Sequence, residues 1–571
     1  MNNQTETGKI DLSEHRKELR EAIISAYPTK AEFQTMIRDE LKRKPDEIVE
    51  EGKLTEMVSR LIEWAEAQSQ EKQLIEAAYK GNPNNKNLQE ITYKLLPNYL
   101  PVPPDHLKNE KDKKLLWHQR IRRLCNKKIF LTSTGSVGIT TILVIVLRLL
   151  GLFEGSELLF FDQMMRLRAS ENQDNRLLLV KITEKDIIKY SKDQNNPPKN
   201  GASLSDEVIY QLLSKLLSKS PRVIAMDIYR SAKAEGNLTR LINNAQTDKR
   251  LVFICKFPDP SSNPDGGRHD PPPDVPIEQV GLSDFLSDRD GVIRRQLINM
   301  GTPTTEHTQD SNCKNQNGLM NSFSFEVAQK YLEKGDGKTN IDKRYTTLLN
   351  KEKNNIVSGS TILPSLENDT QGGYNLKVIH GYQILLNYRY SRAADNSDNR
   401  SVSNIAPQFT VQQVLDDRGI NENLVKDKII LIGTTTEGYD GLSSTPFSSG
   451  GPDNQMQRLF IQAQMVSQLV SGALEERPLI KVCSFEWEIL WILFWSLIGA
   501  ILAQLCKQPL RLIIVGVISF VSLCVICIFL FIYTNFWISL YPCTLAFLST
   551  GGMVVLLEFR SQKKVKTQQT S

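Results

Sequence analysis

Histidine is the scarcest chemistry-bearing residue: only six occur in 571 residues, and none stands in an H-E-x-x-H or other ligand-spaced group. No metal is expected. Cysteine is sparse too, and four of the eight (Cys506, Cys524, Cys527 and Cys543) lie in or beside apolar stretches, where a thiol packs as a small hydrophobe. Cys125 sits in a basic cluster, leaving Cys255, Cys313 and Cys483, three unevenly spaced residues that are not expected to make a disulfide framework. The formal charge of +5 is small, and the lysines and arginines are dispersed, so nucleic acid is not an expected partner. No nucleophile stands beside a base. The Gly433-Thr-Thr-Thr436 stretch lacks the G-x-x-x-x-G-K-[ST] pattern of a phosphate loop. Asp288-x-Asp290-Gly291 carries a fragment of a calcium loop without its glutamate at position 12, and reads as a hairpin turn. The stretch after Glu558 is too short for a kinase or cyclase. The expectation is a non-enzymatic protein without a cofactor.

What the sequence does contain is segregated hydrophobicity. Crossing a membrane takes about 20 predominantly apolar residues. The segment 129–152 is one expected span, opening on the uncharged run Ile129–Leu147. Three more are expected at 485–506, 512–533 and 537–557; between Leu512 and Leu557 there is no Asp, Glu, Lys, Arg or His, and Thr534-Asn535 before Phe536-Trp537 marks the turn. Residues 1–30 are polar, so the first span is expected to act as an uncleaved anchor. Arg120, Arg122, Arg123, Lys127 and Lys128 precede the first span. Lys507 and Arg511 fill the second-to-third connection, and Arg560, Lys563, Lys564 and Lys566 follow the fourth. With four spans these clusters fall on one side, which by the positive-inside rule puts both termini in the cytoplasm and residues 153–484 outside. Arg166, Arg168 and Lys481 dissent weakly.

Residues 12–97 read as a helical bundle. Phe33, Met36, Ile37 and Leu41 make one amphipathic stripe, Leu54, Met57, Val58, Leu61, Ile62 and Ala65 another, and Leu74–Tyr79 opens a helix closed by Gly81 and Pro83. The prolines of 97–104 begin a linker and basic juxtamembrane segment, 98–128. The pattern Leu19-Arg-Glu-Ala22, Ala26-Tyr27, Leu61-Ile-Glu-Trp-Ala65, Leu74-Ile-Glu-Ala-Ala78 and Asn82-Pro-Asn-Asn85 with Leu88 resembles the effector-associated domain, type 1, of bacterial conflict and signalling systems. The resemblance implies an adaptor whose partner is another protein carrying a similar helical domain, with Leu61, Trp64 and Leu74 at its core or interface.

From 177 to 433 short apolar runs alternate with amphipathic stretches, as in an α/β domain. Arg176–Ile182, Pro221–Asp227, Leu251–Cys255, Gly291–Asn299, Ile384–Tyr388 and Lys428–Gly433 read as strands, and Asp206–Leu217 as a helix. Long loops fill 256–275 and 300–320. The ordered motifs Phe161-Asp-Gln163 with Arg166-Leu-Arg168, Ile182-Thr-Glu184 with Asp186, Leu204-Ser-Asp206, Pro221-Arg-Val223 with Asp227-Ile-Tyr-Arg230, Asp288-Arg-Asp-Gly291, Leu385-Leu-Asn-Tyr-Arg389, and Val425-Lys-Asp-Lys428 with Ile432-Gly-Thr434 resemble the type-2 CHASE domain, an extracytoplasmic sensory module of bacterial kinases and cyclases. Asp440 and Thr445-Pro446 follow in place. The likeness implies one span before the sensor and three after. Two positions depart from the family pattern: Gln462 stands where a histidine is usual, and Ser231 where an aspartate often follows.

The fold class expected is therefore multi-domain: an N-terminal all-α bundle, an α/β extracytoplasmic sensor and four transmembrane helices, ending in a cytoplasmic tail, 558–571. Candidate signal-binding or coupling residues are Asp162, Arg166, Arg168, Asp227, Arg230, Gly433 and Asp440. Asp227 closes a strand of an open α/β sheet, where ligands often bind, although an aspartate there also commonly caps a turn. The expected function is sensing of an unknown extracytoplasmic signal, relayed through the bacterial inner membrane to the adaptor's partner. The alternative is a membrane-perturbing effector of a defence system. Membrane lipid and a second copy of this chain are the remaining candidate partners.

Overall fold

The computed structural model describes residues 12, 15–96, 99, 127–191, 203–257, 267–301, 312–314, 318–333, 348–350, 355–358, 361–366, 370–375, 381–392, 400–436, 441–448, 454–506 and 508–570. Asp440, Lys507, Cys125, the basic residues 120–123 and nearly all of the linker lie outside the described residues. The chain divides into two compact units, 1–130 and 131–571.

The first unit contains helices α1 (Arg16–Ala26), α2 (Lys30–Asp39), α3 (Pro45–Ile48), α4 (Leu54–Ala67), α5 (Glu71–Gly81) and α6 (Lys86–Leu95). The 3.6-residue stripes are buried as their spacing requires: Phe33, Ile37, Val58, Leu61, Ile62, Leu74 and Ile75 have no exposed surface. Local chemistry sets the helix ends. Thr29 and Glu32 form a capping box on α2, and Asn85 accepts from the amides of Asn87 and Leu88 to cap α6. The motif Asn82-Pro-Asn-Asn85 is thus a stop followed by a start. Tyr27 ties α1 to α5 by donating to the Ala78 carbonyl at 2.7 Å, and burial pushes its phenol up to about 12.

The second unit is built on a six-stranded parallel sheet. Its strands are β1 (Leu177–Ile182), β2 (Val223–Asp227), β3 (Leu251–Cys255), β4 (Val280–Leu282), β5 (Gln408–Thr410) and β6 (Ile429–Thr434), in the spatial order β5-β1-β6-β2-β3-β4. Both faces are covered, which is why the strands are nearly continuous apolar runs. The two-residue period sorts the side chains. Leu177, Leu179, Val223, Ala225, Ile429 and Leu431 face one core, whereas Leu178, Val180, Ile224, Met226, Ile430 and Ile432 face the other.

The remaining helices are α7 (Lys127–Leu149), α8 (Glu154–Arg166), α9 (Glu184–Ser191), α10 (Asp206–Leu217), α11 (Gly236–Asp248), α12 (Phe323–Glu333), α13 (Val411–Leu415), α14 (Glu422–Val425), α15 (Arg458–Glu475), α16 (Phe485–Leu505), α17 (Pro509–Thr534) and α18 (Tyr541–Thr570). α12 and α15 cover the first face of the sheet, and α10, α11 and α13 the second. α15 is buried on every side from Leu459 to Ala473. Its polar residues satisfy a neighbouring segment's backbone: Gln464 accepts from the Arg389 amide and donates to the Arg389 and Val402 carbonyls, and Gln468 accepts from the Asn387 amide.

Among the described residues, α16, α17 and the Tyr541–Arg560 part of α18 are long and apolar enough to cross a membrane. Of the segment expected as the first span, 129–152, α7 covers all but the last three residues, and the chain turns where that segment ends. α7 and α8 are bent by 82° at Gly151, whose φ is +77°, and α8 buries Leu158, Phe161, Met164 and Met165 in the core of the α/β domain. Phe536–Trp537, expected to open the last span, forms a short parallel strand with Lys481–Val482, so α18 begins at Tyr541. α16 and α18 pack closest, at Gly499, where a Cβ would lie 2.3 Å from the Phe547 carbonyl oxygen.

One cysteine expectation is overturned. Cys255, at the end of β3, is bonded to Cys313, with the Cα atoms 5.8 Å apart, while Cys483 is free and buried. Spacing did not show the pair because the fold, not the sequence, brings the 313 loop back to the strand end.

Candidate functional site

The carboxyl ends of the parallel strands are where an open α/β sheet places a site. Asp227 closes β2 there, fully buried, and its Oδ1 accepts from Arg458 Nε at 2.9 Å. Arg458 opens α15, donates to the Ser283 carbonyl at 2.6 Å, and lies over the rings of Tyr229 and Phe285 at 5.2 and 5.0 Å. Burial holds the Asp227 carboxyl above the ordinary carboxylate range, with Arg458 offsetting part of that. Asp227 Oδ2 has no hydrogen-bond partner among the described residues. Gly433 belongs to the same corner: a Cβ on it would meet Leu459 at 3.1 Å and Asp227 Cβ at 3.5 Å. It is a close-packing position of β6 against α15.

Arg230 points elsewhere, to Asp206 at 2.7 Å, and the other oxygen of Asp206 accepts from the Glu235 amide. That pairing ties the Leu204-Ser-Asp206 and Asp227-Ile-Tyr-Arg230 motifs together. Ser231, at one departure, donates to the Asp270 carbonyl, and Gln462, at the other, is buried in α15.

Asp162 on α8 is joined bidentately to Arg294, at 2.7 and 2.8 Å. Arg294 is fully buried and also meets Asp288 at 2.9 Å and Asp290 at 2.7 Å. Asp288 in turn accepts from Tyr374 and Arg295. The Asp288–Gly291 motif is a turn, with the Gly291 amide donating to the Asp288 carbonyl and Gly291 at φ +78°. Its aspartates neutralise a buried arginine that sequence reasoning missed, since Arg294 lies inside an apparently ordinary strand.

Arg168 reaches the side-chain carbonyls of Asn387 and of Asn535, the left-handed residue after α17. Arg166 donates Nε to the Pro446 carbonyl at 2.6 Å and lines an open cavity. Thus the structure brings Asp227 and Gly433 to one corner, and spreads Asp162, Arg166, Arg168 and Arg230 over four other places.

A further cluster joins the α/β domain to the apolar helices. Arg148, in the last turn of α7, pairs with Glu488 of α16 at 2.9 Å, both without exposed surface. Arg148 also donates to the carbonyls of Gly372 and Tyr374 at 2.6 and 2.9 Å, and Ser539 donates to Glu488 at 2.5 Å. Glu157 of α8 accepts from the amides of Leu540 and Tyr541 at 2.7 Å each, capping α18. The sequence signal was available, because a charge at the end of an apolar run needs a partner. Below this joint, Thr140 of α7, Ser496 of α16 and Thr550 of α18 share hydroxyl contacts of 2.5–3.3 Å.

In the N-terminal unit, Leu61 and Leu74 are core residues without exposed surface. Trp64 is half-buried beneath the Arg43 guanidinium, 5.9 Å from the ring centroid.

The α/β domain continues directly into apolar helices, and several of its acids and arginines pair with each other: Asp227 with Arg458, Asp206 with Arg230, and Asp162, Asp288 and Asp290 with Arg294. The chain belongs to the CHASE2 domain family, which matches residues 139–501, and residues 11–96 match Effector-associated domain 1. No curated protein and no solved structure matches it. CHASE2 is an extracytoplasmic sensor domain, and its combination with an effector-associated domain marks a signalling or sensing protein.

Proposed function

We propose that the protein is a non-enzymatic inner-membrane transducer of a bacterium. Its CHASE2 domain lies outside, α7, α16, α17 and α18 span the bilayer, and both termini are cytoplasmic. An external stimulus changes how the spans are arranged, and the helical adaptor passes the change to another protein carrying a similar domain. The reading rests on the polar joint at Arg148. A salt bridge capped by two carbonyls of the α/β domain links α7 to α16, and Glu157 links α8 to the first turn of α18. A shift in the domain therefore pulls on three membrane helices at once. Such coupling needs a ligand that prefers one arrangement by about 1–3 kcal/mol. The 23 residues of α7 also reach across a hydrocarbon core at about 1.5 Å per residue.

The test is a truncation joining residue 152 to 485, with recovery of the adaptor's partner as the readout. Loss of stimulus dependence is expected. Unchanged stimulus-dependent recovery would remove the sensor role, and constitutive toxicity of the truncated chain would favour the membrane-perturbing effector instead.

A further inference from the structure

Many charged residues of the α/β domain pair with each other, but one cavity is lined, among the described residues, by two arginines and no acid. It has a volume of about 410 Å³ and lies between the C-terminal end of α8 and the strand Met456–Gln457 that leads into α15. Arg166 and the exposed Arg400 stand on its wall, and among the described residues no aspartate or glutamate lines it, the charge of Asp162 acting on Arg166 from outside the cavity. The Arg166 guanidinium is held in place through Nε by the Pro446 carbonyl, leaving its outer edge free of recorded partners among the described residues. Tyr390 and Phe447 form a second wall, their rings stacked at 5.5 Å and inclined by 9°. Buried Val402 and Met456 contribute apolar surface, and Ser401, Ser403 and Gln455 uncharged hydrogen-bonding groups.

We propose that this cavity is the signal-binding site and that it takes a small organic anion, a carboxylate or phosphate carried on a flat apolar body. A guanidinium offers two parallel donors that match the paired oxygens of such an anion, and a stacked aromatic wall accepts a planar ring by offset stacking. The volume lies within the roughly 300–1,000 Å³ of small-molecule sites. Uncharged analogues fit the wall but give the two guanidinium groups no anion to pair with, so charge is the discriminating feature. The inference rests on the sensor reading, and the geometry gives the site an outlet. Arg166 ends α8, the helix on which Asp162 binds Arg294 and Glu157 caps α18. An anion drawn to Arg166 competes with the Pro446 carbonyl and so acts on the helix that touches the membrane part.

The experiment uses the full chain in lipid nanodiscs, titrated with benzoate, 4-hydroxybenzoate and phenyl phosphate, with benzamide and inorganic phosphate as controls, and binding read by calorimetry. Saturable binding of at least one aromatic anion is expected, at least tenfold tighter than benzamide. Arg400→Gln, at an exposed position that should not disturb folding, and Phe447→Leu should each weaken it at least tenfold with the thermal transition unchanged. Binding of an aromatic carboxylate but not the phosphate, or the reverse, identifies the head group within the class. Absence of saturable binding by all three anions, or equal affinity in the folded variants, overturns the proposal. Anion binding that leaves protease cleavage near Arg148 and the 152-to-485 comparison unaffected supports the site and overturns the sensor reading, so the two fail separately.

Discussion

Arg294 carries the heaviest demand of any single residue. It is fully buried and faces Asp162, Asp288 and Asp290. Arg294→Ala leaves buried carboxylates without their cation, and removing one partner of a buried pair typically costs about 3–5 kcal/mol. Denaturant unfolding of the detergent-solubilised protein should show a loss of that size; a loss under about 1 kcal/mol would mean that water reaches the network. The acid dependence of stability is set by groups of opposite sign. Burial pushes the Asp174 carboxyl up, but Arg176 and Ser467 pull it down further, so its net position is below the ordinary range. A carboxyl lowered in the folded state stabilises above its unfolded value, about 3.9, and that stability is lost as pH falls through the lowered value. Asp227 acts in the reverse sense, since its raised carboxyl favours the folded state as pH falls. Asp174→Asn is therefore expected to reduce stability at pH 7 and to make the remaining loss between about pH 4 and 2 shallower, as read from unfolding midpoints across that range. At Gly81, a Cβ would sit 2.4 Å from the Tyr27 hydroxyl that binds the Ala78 carbonyl. Gly81→Ala should cost the adaptor unit about 1–3 kcal/mol by overpacking, measured by thermal unfolding of residues 1–100.

Elements differ in how much substitution they tolerate according to what they touch. α16 and α18 approach closely enough that Gly499→Val drives a side chain into the Phe547 backbone. Gly516 of α17 has nothing within 4 Å of a Cβ, and much of that helix's apolar surface is exposed for lipid. Gly499→Val should therefore lower the yield of folded, protease-resistant protein severalfold, whereas Gly516→Val should leave it unchanged. Equal effects would mean that the two helices are not a fixed pair. The Gly372-Gly373 turn behaves like Gly499, because Gly373 presses against Trp537, with a Cβ placed 2.3 Å from that ring. Helices α2, α4, α5 and α10 and strands β1, β2, β3 and β6 were legible in periodicity, whereas α11, α12, α15, β4 and β5 were not read. The end of α7 fell within a few residues of the expected end of the first span, but α8 was not read, because only the packing of Phe161 and Met164 in the domain core shows what that segment does.

At the scale of the whole molecule, the proposed topology makes two further predictions. A cytoplasm-active reporter should give signal when fused at either terminus and none near residue 310; signal from 310 would overturn the four-span arrangement. The Cys255–Cys313 bond requires an oxidising compartment. In cells quenched with acid and then denatured in the presence of a thiol-reactive polymer, neither Cys255 nor Cys313 should be labelled unless a reductant is added first, and labelling of both without reduction would mean that the bond is not formed and remove this support for an outside location.

Much of this architecture follows from sequence alone. Apolar runs of spanning length, the basic clusters beside them, the 3.6-residue stripes of the adaptor and the ordered motifs of the α/β domain are all local properties, set by the composition and period of contiguous residues. Three features required the folded chain. Asp162 meets Arg294, Arg148 meets Glu488, and Cys255 meets Cys313 across separations of 132, 340 and 58 residues. A charge announces in sequence that it needs a partner, but not which one, because the choice is made by how strands and helices stack. The same holds for the cavity at Arg166: that two arginines stand on one wall with a stacked Tyr390–Phe447 pair opposite is decided by how the segments fold together, a property no linear spacing encodes.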